Sequence, residues 1–358
     1  MVDDGDGVAD VHVDRLWLDP RVVDDDGPRD GEVEAGTVVR PGRGRPTRTT
    51  RDEYRDDGDN AEPAHEQATV VDEWGRARVG DLVALVNAAL PDEELSVDEL
   101  LACCWDDPGV VFAAPDGSGA VSASFQMQGD RGVGFIKLIA VAPDARRAGV
   151  ARALLETAHE WCFDQGAKEI RVGAAAPFYL WPGCDVAHLD ALCLFESFGY
   201  WVVGGEVNMS CATRFRADAP SGVTIVRALD DDVIERGLAL VRREWPWWEA
   251  EMVRGVEQGG CHVAIADDDS ADAPALGFAC HSVNRAAWIG PMGTDPTRQH
   301  GGVGAALLGQ LCRDLQAAEY QSAEIAWVGP VSFYAKAADA KVSRVFRSLM
   351  LPRPAASP

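Results

Sequence analysis

Two hydrophobic periods alternate along residues 67–351. Apolar positions three and four apart, the helical spacing, mark residues 77–90, 147–165, 188–198, 230–243, 247–257 and 302–318. Ser96, with Glu99 three positions on, marks the start of a further helix in the first half. Alternating or continuous apolar runs predict strands at 110–114, 120–128, 133–141, 169–174, 223–227, 261–267, 275–283, 287–293, 323–328 and 342–349. Residues 332–338 predict a short helix, and 200–203 with 206–211 a closing hairpin. The order strand–helix–helix–three strands–helix–strand–helix–strand is thus written twice, over 67–216 and 222–351, and the second copy lacks the last strand of the first. Fold class follows as mixed α/β, with a mixed sheet flanked by helices in each half. Residues 1–66 differ, being rich in Asp, Gly, Arg and Pro. They are expected to be an acidic, largely irregular extension, with short strands at 11–18 and 32–39 and a linker at 40–66.

One short motif also recurs, 153 residues apart. Pro143-Asp144-Ala145-Arg146-Arg147-Ala148-Gly149-Val150-Ala151 in the first half aligns with Pro296-Thr297-Arg298-Gln299-His300-Gly301-Gly302-Val303-Gly304 in the second. Each copy follows a predicted strand and opens a predicted helix. Such a turn leaves backbone N–H groups unpaired at a helix start, where phosphate is favoured. A repeat of this length implies two domains of one type, not a solenoid.

Composition narrows the partners. With 33 basic against 58 acidic residues, the net charge is −25, the wrong sign for nucleic acid as the main partner. Four of the basic residues are lysine (137, 168, 336 and 341). This acidic, lysine-poor balance resembles proteins of haloarchaea that work in molar salt, where charge repulsion is screened. The nine cysteines form no CxxC pair and no regular framework, and suggest reduced, packed side chains with no metal role. Residues 1–14 show no apolar leader and no run approaches the ~20 apolar residues of a membrane span. A cytoplasmic protein, monomeric or homodimeric, is expected.

The patterns Arg146-x-x-Gly149-x-Ala151 and Gln299-x-x-Gly302-x-Gly304, each between a strand and a helix, resemble the acetyl-CoA loop of the GNAT acetyltransferase superfamily. The resemblance covers both halves and implies two tandem GNAT folds, each a splayed mixed sheet. It implies acetyl-CoA (CoA) as cofactor, with the pyrophosphate held by Arg146, Arg147, Ala148, Gly149, Val150 and Ala151, and by Gln299, His300, Gly301, Gly302, Val303, Gly304 and Ala305. It further implies that Met292, Gly293 and Thr294 lie along the cofactor and polarise its carbonyl. Many members carry a tyrosine that protonates the departing thiolate. Tyr334 matches it in the second half, whereas Phe195 takes that place in the first. Asp339 departs from the glycine that usually ends this helix. Catalysis is therefore expected in the second half, with the first a degenerate copy, and Gly302 with Gly304 predicts the tighter CoA site there. Candidate bases are Glu244, Glu249, His281 and Glu324; Glu244 and Glu249 bracket Trp245, Trp247 and Trp248, the segment that lines the acceptor pocket in this family. His262 and His281 are equally readable as packed strand residues. The implied activity is transfer of an acetyl group to a primary amine of a small molecule, an amino sugar being one candidate. Tyr179-x-Trp181-Pro182-Gly183 is similar to tandem GNAT proteins related to glucosaminide acetyltransferases. A mycothiol-synthase-like transferase and a non-catalytic acyl-CoA sensor are the alternatives.

Overall fold

In the computed structural model of the chain, residues 71–106, 109–267, 273–298 and 301–354 are described below. The extension and its expected strands at 11–18 and 32–39 lie outside the described residues, as do Gln299 and His300. The first half runs β1 (Asp72–Glu73), α1 (Val79–Ala89), α2 (Val97–Leu101), β2 (Gly109–Ala113), β3 (Gly119–Gln128), β4 (Arg131–Val141), α3 (Val150–Asp164), β5 (Glu169–Val172), β6 (Cys184–Asp185), α4 (Leu189–Ser197) and β7 (Trp201–Ala212). The second runs β8 (Val223–Arg227), α5 (Asp231–Glu244), α6 (Glu249–Glu257), β9 (Cys261–Ala266), β10 (Ala275–His281), β11 (Trp288–Thr294), α7 (Val303–Ala317), β12 (Ser322–Ile325), α8 (Val331–Ala338) and β13 (Lys341–Pro352).

Local chemistry places these elements where the spacing predicts them. In α1 the buried residues are Leu82, Leu85, Val86 and Ala89, a single helical stripe. The Ser96–Glu99 capping box forms: Ser96 Oγ accepts from the Glu99 amide at 3.3 Å, and Glu99 Oε2 accepts from the Ser96 amide at 2.7 Å. α2 then continues as a π-helical turn, Ala102–Asp106. Helix α3 covers one face of the first-half sheet through Leu154, Leu155, Ala158 and Cys162, and α1 and α2 cover the other. In the second half α7 does the same through Leu307, Leu308, Leu311 and Cys312, with α5 and α6 opposite.

The ends of the two halves depart from the sequence reading. Residues 201–212 form one long strand, not a hairpin, and β13 is an equally long partner, so the second half lacks nothing. Gly204 and Gly205 do not turn; they stay extended opposite Ser348 and Arg347. A continuous partner strand satisfies their backbone groups, which removes the reason to fold back. The sheet order is β1-β2-β3-β4-β5-β13-β7-β12-β11-β10-β9-β8, with β6 also on β13. Each half therefore gives its last strand to the other. β7 pairs antiparallel with β12, and β13 pairs antiparallel with β5. All described residues belong to one compact unit.

Buried polar contacts join the halves as well. Glu93 meets Arg285 and Arg344, each at 2.6 Å, and Arg344 also reaches Asp185 at 2.6 Å. Burial raises the Glu93 pKa, but His188, Arg344 and Arg285 outweigh it and hold the carboxyl far below its usual range. Glu99 Oε1 accepts from the Ala286 amide at 2.7 Å.

Candidate functional site

Each half contains a place where its sheet splits. In the first, β4 and β5 pair in parallel over Val133–Ile136 and Glu169–Val172, and the Gly173 amide donates to the Ile136 carbonyl at 2.9 Å. Beyond that rung β4 continues to Val141 while β5 has ended. On its other side β4 carries a bulge: Ala123 faces Ile136 and Ser122 faces Leu138, leaving Lys137 as the extra residue. Segment 173–183 doubles back beside the split, with the Ala174 amide donating to the Trp181 carbonyl at 2.9 Å. Gly173, at φ 67°, fits there because a Cβ would lie 2.7 Å from the Gly183 nitrogen.

The recurring loop sits above this opening. Arg147 and Gly149 are left-handed, at φ 66° and 84°, and Gly149 is the N-cap of α3 with no side-chain cap. The first-turn amides of Val150, Ala151 and Arg152 thus have no partner within the helix. Arg146 Nη2 donates to the Ala89 carbonyl at 2.9 Å, tying the loop to the end of α1. A cavity of about 940 Å³ opens below, lined by β4 from Ile136 to Val141, by the loop including Arg146, Arg147, Gly149, Val150 and Ala151, and by α4. Glu93, Asp185, His188, Cys193 and Arg344 also line it. His188 Nε2 lies 3.7 Å from Glu93, whose hydrogen bond raises the imidazole pKa against the effect of burial.

The second half repeats the split with different filling. β11 and β12 pair only through Trp288–Glu324 and Ile289–Ile325. Its loop again turns on a left-handed N-cap, Gly302 at φ 85°, which opens α7 without a side-chain cap. Gly301 is exposed and Val303 is buried against the core. Gly304 and Gly293, however, are closed over by aromatic rings. A Cβ on Gly304 would meet Phe333 Cζ at 3.2 Å and Thr294 Oγ1 at 3.4 Å; one on Gly293 would meet Trp245 Cζ3 at 2.5 Å. Ala305 is partly buried beside Gly304, and Met292 packs against the α7 core. Trp245, Trp248 and Phe278 form one ring cluster, with Trp247 against Trp248 and half exposed.

The remaining expected site residues are placed as follows. Tyr334 is 6% exposed in the α7 core, and burial raises its phenol pKa well above the usual range, so it stays protonated. Glu244 pairs with Arg243 at 2.6 Å, and Glu249, which opens α6, pairs with Arg242 of α5 at 2.7 Å. His281 Nε2 lies 3.6 Å from Asp314, which also holds His262 at 2.6 Å. Glu324 accepts from Asn208 at 2.5 Å. The carboxylates that bracket the tryptophans are thus both engaged with arginines. Phe195 is 2% exposed in the first-half core. Asp339 adopts the left-handed conformation, φ 49°, that Gly199 takes at φ 84° after α4. Composition and motif spacing did not reveal Lys137 or His188 as groove residues, whereas the Tyr179-x-Trp181-Pro182-Gly183 stretch was readable as a groove wall, and Trp181 does line the cavity.

The comparisons agree with this architecture. Residues 72–180 match the model of the Acetyltransferase (GNAT) family. No curated protein sequence matches the chain. A fungal multi-domain GH3 β-N-acetylglucosaminidase with a GCN5-related glucosamine N-acetyltransferase region superposes with TM-score 0.64 at 17% identity, over 79% of this chain and 38% of that one. A tandem GNAT protein from the clavulanic acid biosynthesis pathway gives 0.61 at 14% identity, over 80% and 99%. A GCN5-related N-acetyltransferase from Sphaerobacter thermophilus gives 0.58 at 17%, over 81% and 98%. The chain spans about two fifths of the fungal protein and nearly all of the other two. Residues 72–180 are thus similar to the GNAT acetyltransferase family, and the mixed α/β fold is shared with GNAT proteins, a tandem one among them.

Proposed function

We propose that the chain is an N-acyltransferase that moves an acetyl group, or a related acyl group, from its CoA thioester to the primary amine of a small molecule, and that the first-half groove holds the thioester. One observation carries this reading: the uncapped, left-handed helix start at Gly149 stands at the mouth of the 940 Å³ cavity between the diverging strands. The residues fit the cofactor. Nothing lies within 4 Å of a Cβ built on Gly149, so a phosphate has room before the first-turn amides of α3. Beyond Ile136, β4 has no β5 partner, and its free edge can pair with the extended arm of the cofactor. When bound, the thioester supplies an activated acyl carbon.

The chain's own residues then orient the reactants and manage protons. An attacking amine must be neutral, so a proton has to leave it. His188 lines the groove, and its hydrogen bond to Glu93 raises the imidazole pKa and favours a proton held at Nε2. The acceptor is a small amine; the fungal neighbour makes amino sugars sensible members of a screen.

A second reading places turnover in the second half, and Tyr334 favours it, because burial keeps the phenol in the form that can donate a proton. A binding-only role for the first half is favoured by Phe195, which has no proton to give. Calorimetry with CoA and acetyl-CoA, together with thiol release over an amine panel, separates these. On the main reading Gly149→Glu abolishes binding and thiol release, while Gly302→Glu preserves both. Loss confined to Gly302→Glu would move the site to the second half, and binding without thiol release on any amine would leave a sensor.

A further inference from the structure

The groove is lined by a buried lysine that no group among the described residues pairs with. Lys137 is 2% exposed, and its Nζ has no hydrogen-bond partner among the described residues. Trp181 Nε1 is likewise buried and without one, and both residues line the same cavity. Ser122 Oγ and Ser124 Oγ, both buried on the adjoining β3, are also without a hydrogen-bond partner among the described residues. A buried ammonium without a counter-charge is costly to keep, several kcal/mol on the usual scale.

The groups packed around Lys137 do not supply that charge. The Cys103 and Cys104 thiols are its neighbours, and burial pushes them up to about 12 and about 11, so they remain neutral. Glu99 is bonded to the Ser96 amide and the Ala286 amide. Glu251 is raised to about 8 by burial. Glu93 and Asp185 are matched by Arg285 and Arg344. The repeat also gives an internal comparison: at the offset of 153 that aligns the loops, the bulge residue of the second half is Gly290. The lysine is therefore not required to make the bulge.

We propose that Lys137 Nζ and Trp181 Nε1 form a carboxylate-binding pocket at the inner end of the first-half groove, so that one of the two reactants carries a carboxylate. The inference rests on the first-half site proposed above. The carboxylate comes either from a dicarboxylic acyl group on CoA or from an amino-acid-like acceptor. In both cases it completes the two orphaned donors and neutralises the ammonium, which a plain acetyl group cannot do.

Binding of CoA, acetyl-CoA and succinyl-CoA is measured by calorimetry on the wild-type chain, Lys137→Met, Trp181→Phe and Gly149→Glu. Acceptor KM and kcat are measured in parallel for α-amino acids against their carboxamides. If the acyl group carries the carboxylate, succinyl-CoA binds about tenfold or more tighter than acetyl-CoA. If the acceptor carries it, the amino acid shows a KM lower by a similar factor at nearly equal kcat. In either case Lys137→Met erases the preference while the affinity for CoA itself holds, and Trp181→Phe weakens it. CoA binding that is lost in Gly149→Glu, with no preference in either arm or with one that survives Lys137→Met, overturns the carboxylate pocket and leaves the first-half site standing. No CoA binding, or binding indifferent to Gly149→Glu, overturns the site and this inference together.

Discussion

Leu90 and Trp245 end their helices in the same backbone conformation, φ −133° and ψ 66° against φ −142° and ψ 64°, each followed by proline. Each caps with its amide on the fourth residue back, Val86 and Val241. The two halves thus place a side chain at the same point beside the split strand. Leu90 lines the first-half cavity, whereas the larger indole of Trp245 covers Gly293. Exchanging them tests whether this position sets which groove is open. Leu90→Trp should weaken CoA binding about tenfold or more, the usual scale of overpacking a filled site. Trp245→Leu should leave the first-half affinity unchanged. Calorimetry reads both.

Tyr334→Phe distinguishes the halves chemically. With turnover in the first half, kcat should stay within about twofold, since the ring still packs in the α7 core. A fall of ~10²–10⁴-fold, the usual worth of acid–base help, would assign the proton donor to the second half. Steady-state kinetics on the amine found by screening gives the answer.

Glu251 predicts a pH dependence of stability. It is buried, its pKa is raised by burial to about 8, and Asn284 Nδ2 donates to it at 3.3 Å. An unfolded glutamate loses its proton near pH ~4.3. Between that point and about pH 8 the folded chain binds one proton more than the unfolded chain, so stability falls as pH rises, by up to ~1.4 kcal/mol per unit. Glu251→Gln removes that proton and should flatten the slope and raise Tm at pH 8. Melts of the two proteins from pH 5 to 8 check it.

The strand exchange predicts that neither half is independent. Cut between residues 216 and 222, the first half exposes the edge of β5 and the second the edge of β12. An unpaired edge is a template for association. Expressed separately, the halves should be insoluble or aggregated; expressed together, they should assemble into a one-to-one complex, seen by size-exclusion chromatography with light scattering.

Net charge gives a salt prediction. With −25 on the chain, repulsion falls as the Debye length shrinks to ~3 Å at 1 M salt. Tm should rise steadily from low salt to several molar KCl. A flat series would remove the support for a halophilic origin.

The element order and the two helix-opening loops were legible because each depends on local signals. Apolar period, the Ser96–Glu99 box and the paired glycines Gly149 and Gly302 act over one or two turns. The ends of the halves were not legible in this way. Residues 201–212 have the composition of a strand broken at Gly204-Gly205, and only β13, more than a hundred residues away, keeps it straight. The same limit applies to Gly304. Its lack of a side chain reads as room for phosphate, yet the structure uses it for the Phe333 ring. Lys137 belongs to the apolar run of β4 by sequence and stands out only through the bulge that isolates it.

The exchanged strands also bear on how such a chain can change over generations. After a duplication, a spare copy is ordinarily free to decay and be deleted. Here β13 borders β5 and carries Arg344 into the first groove, so deleting the second copy would unravel the first. The tryptophan and phenylalanine rings at its own split can change without touching that seam, provided that its terminal strand survives. The terminal strand thereby ties the second half to the chain whatever its own split holds.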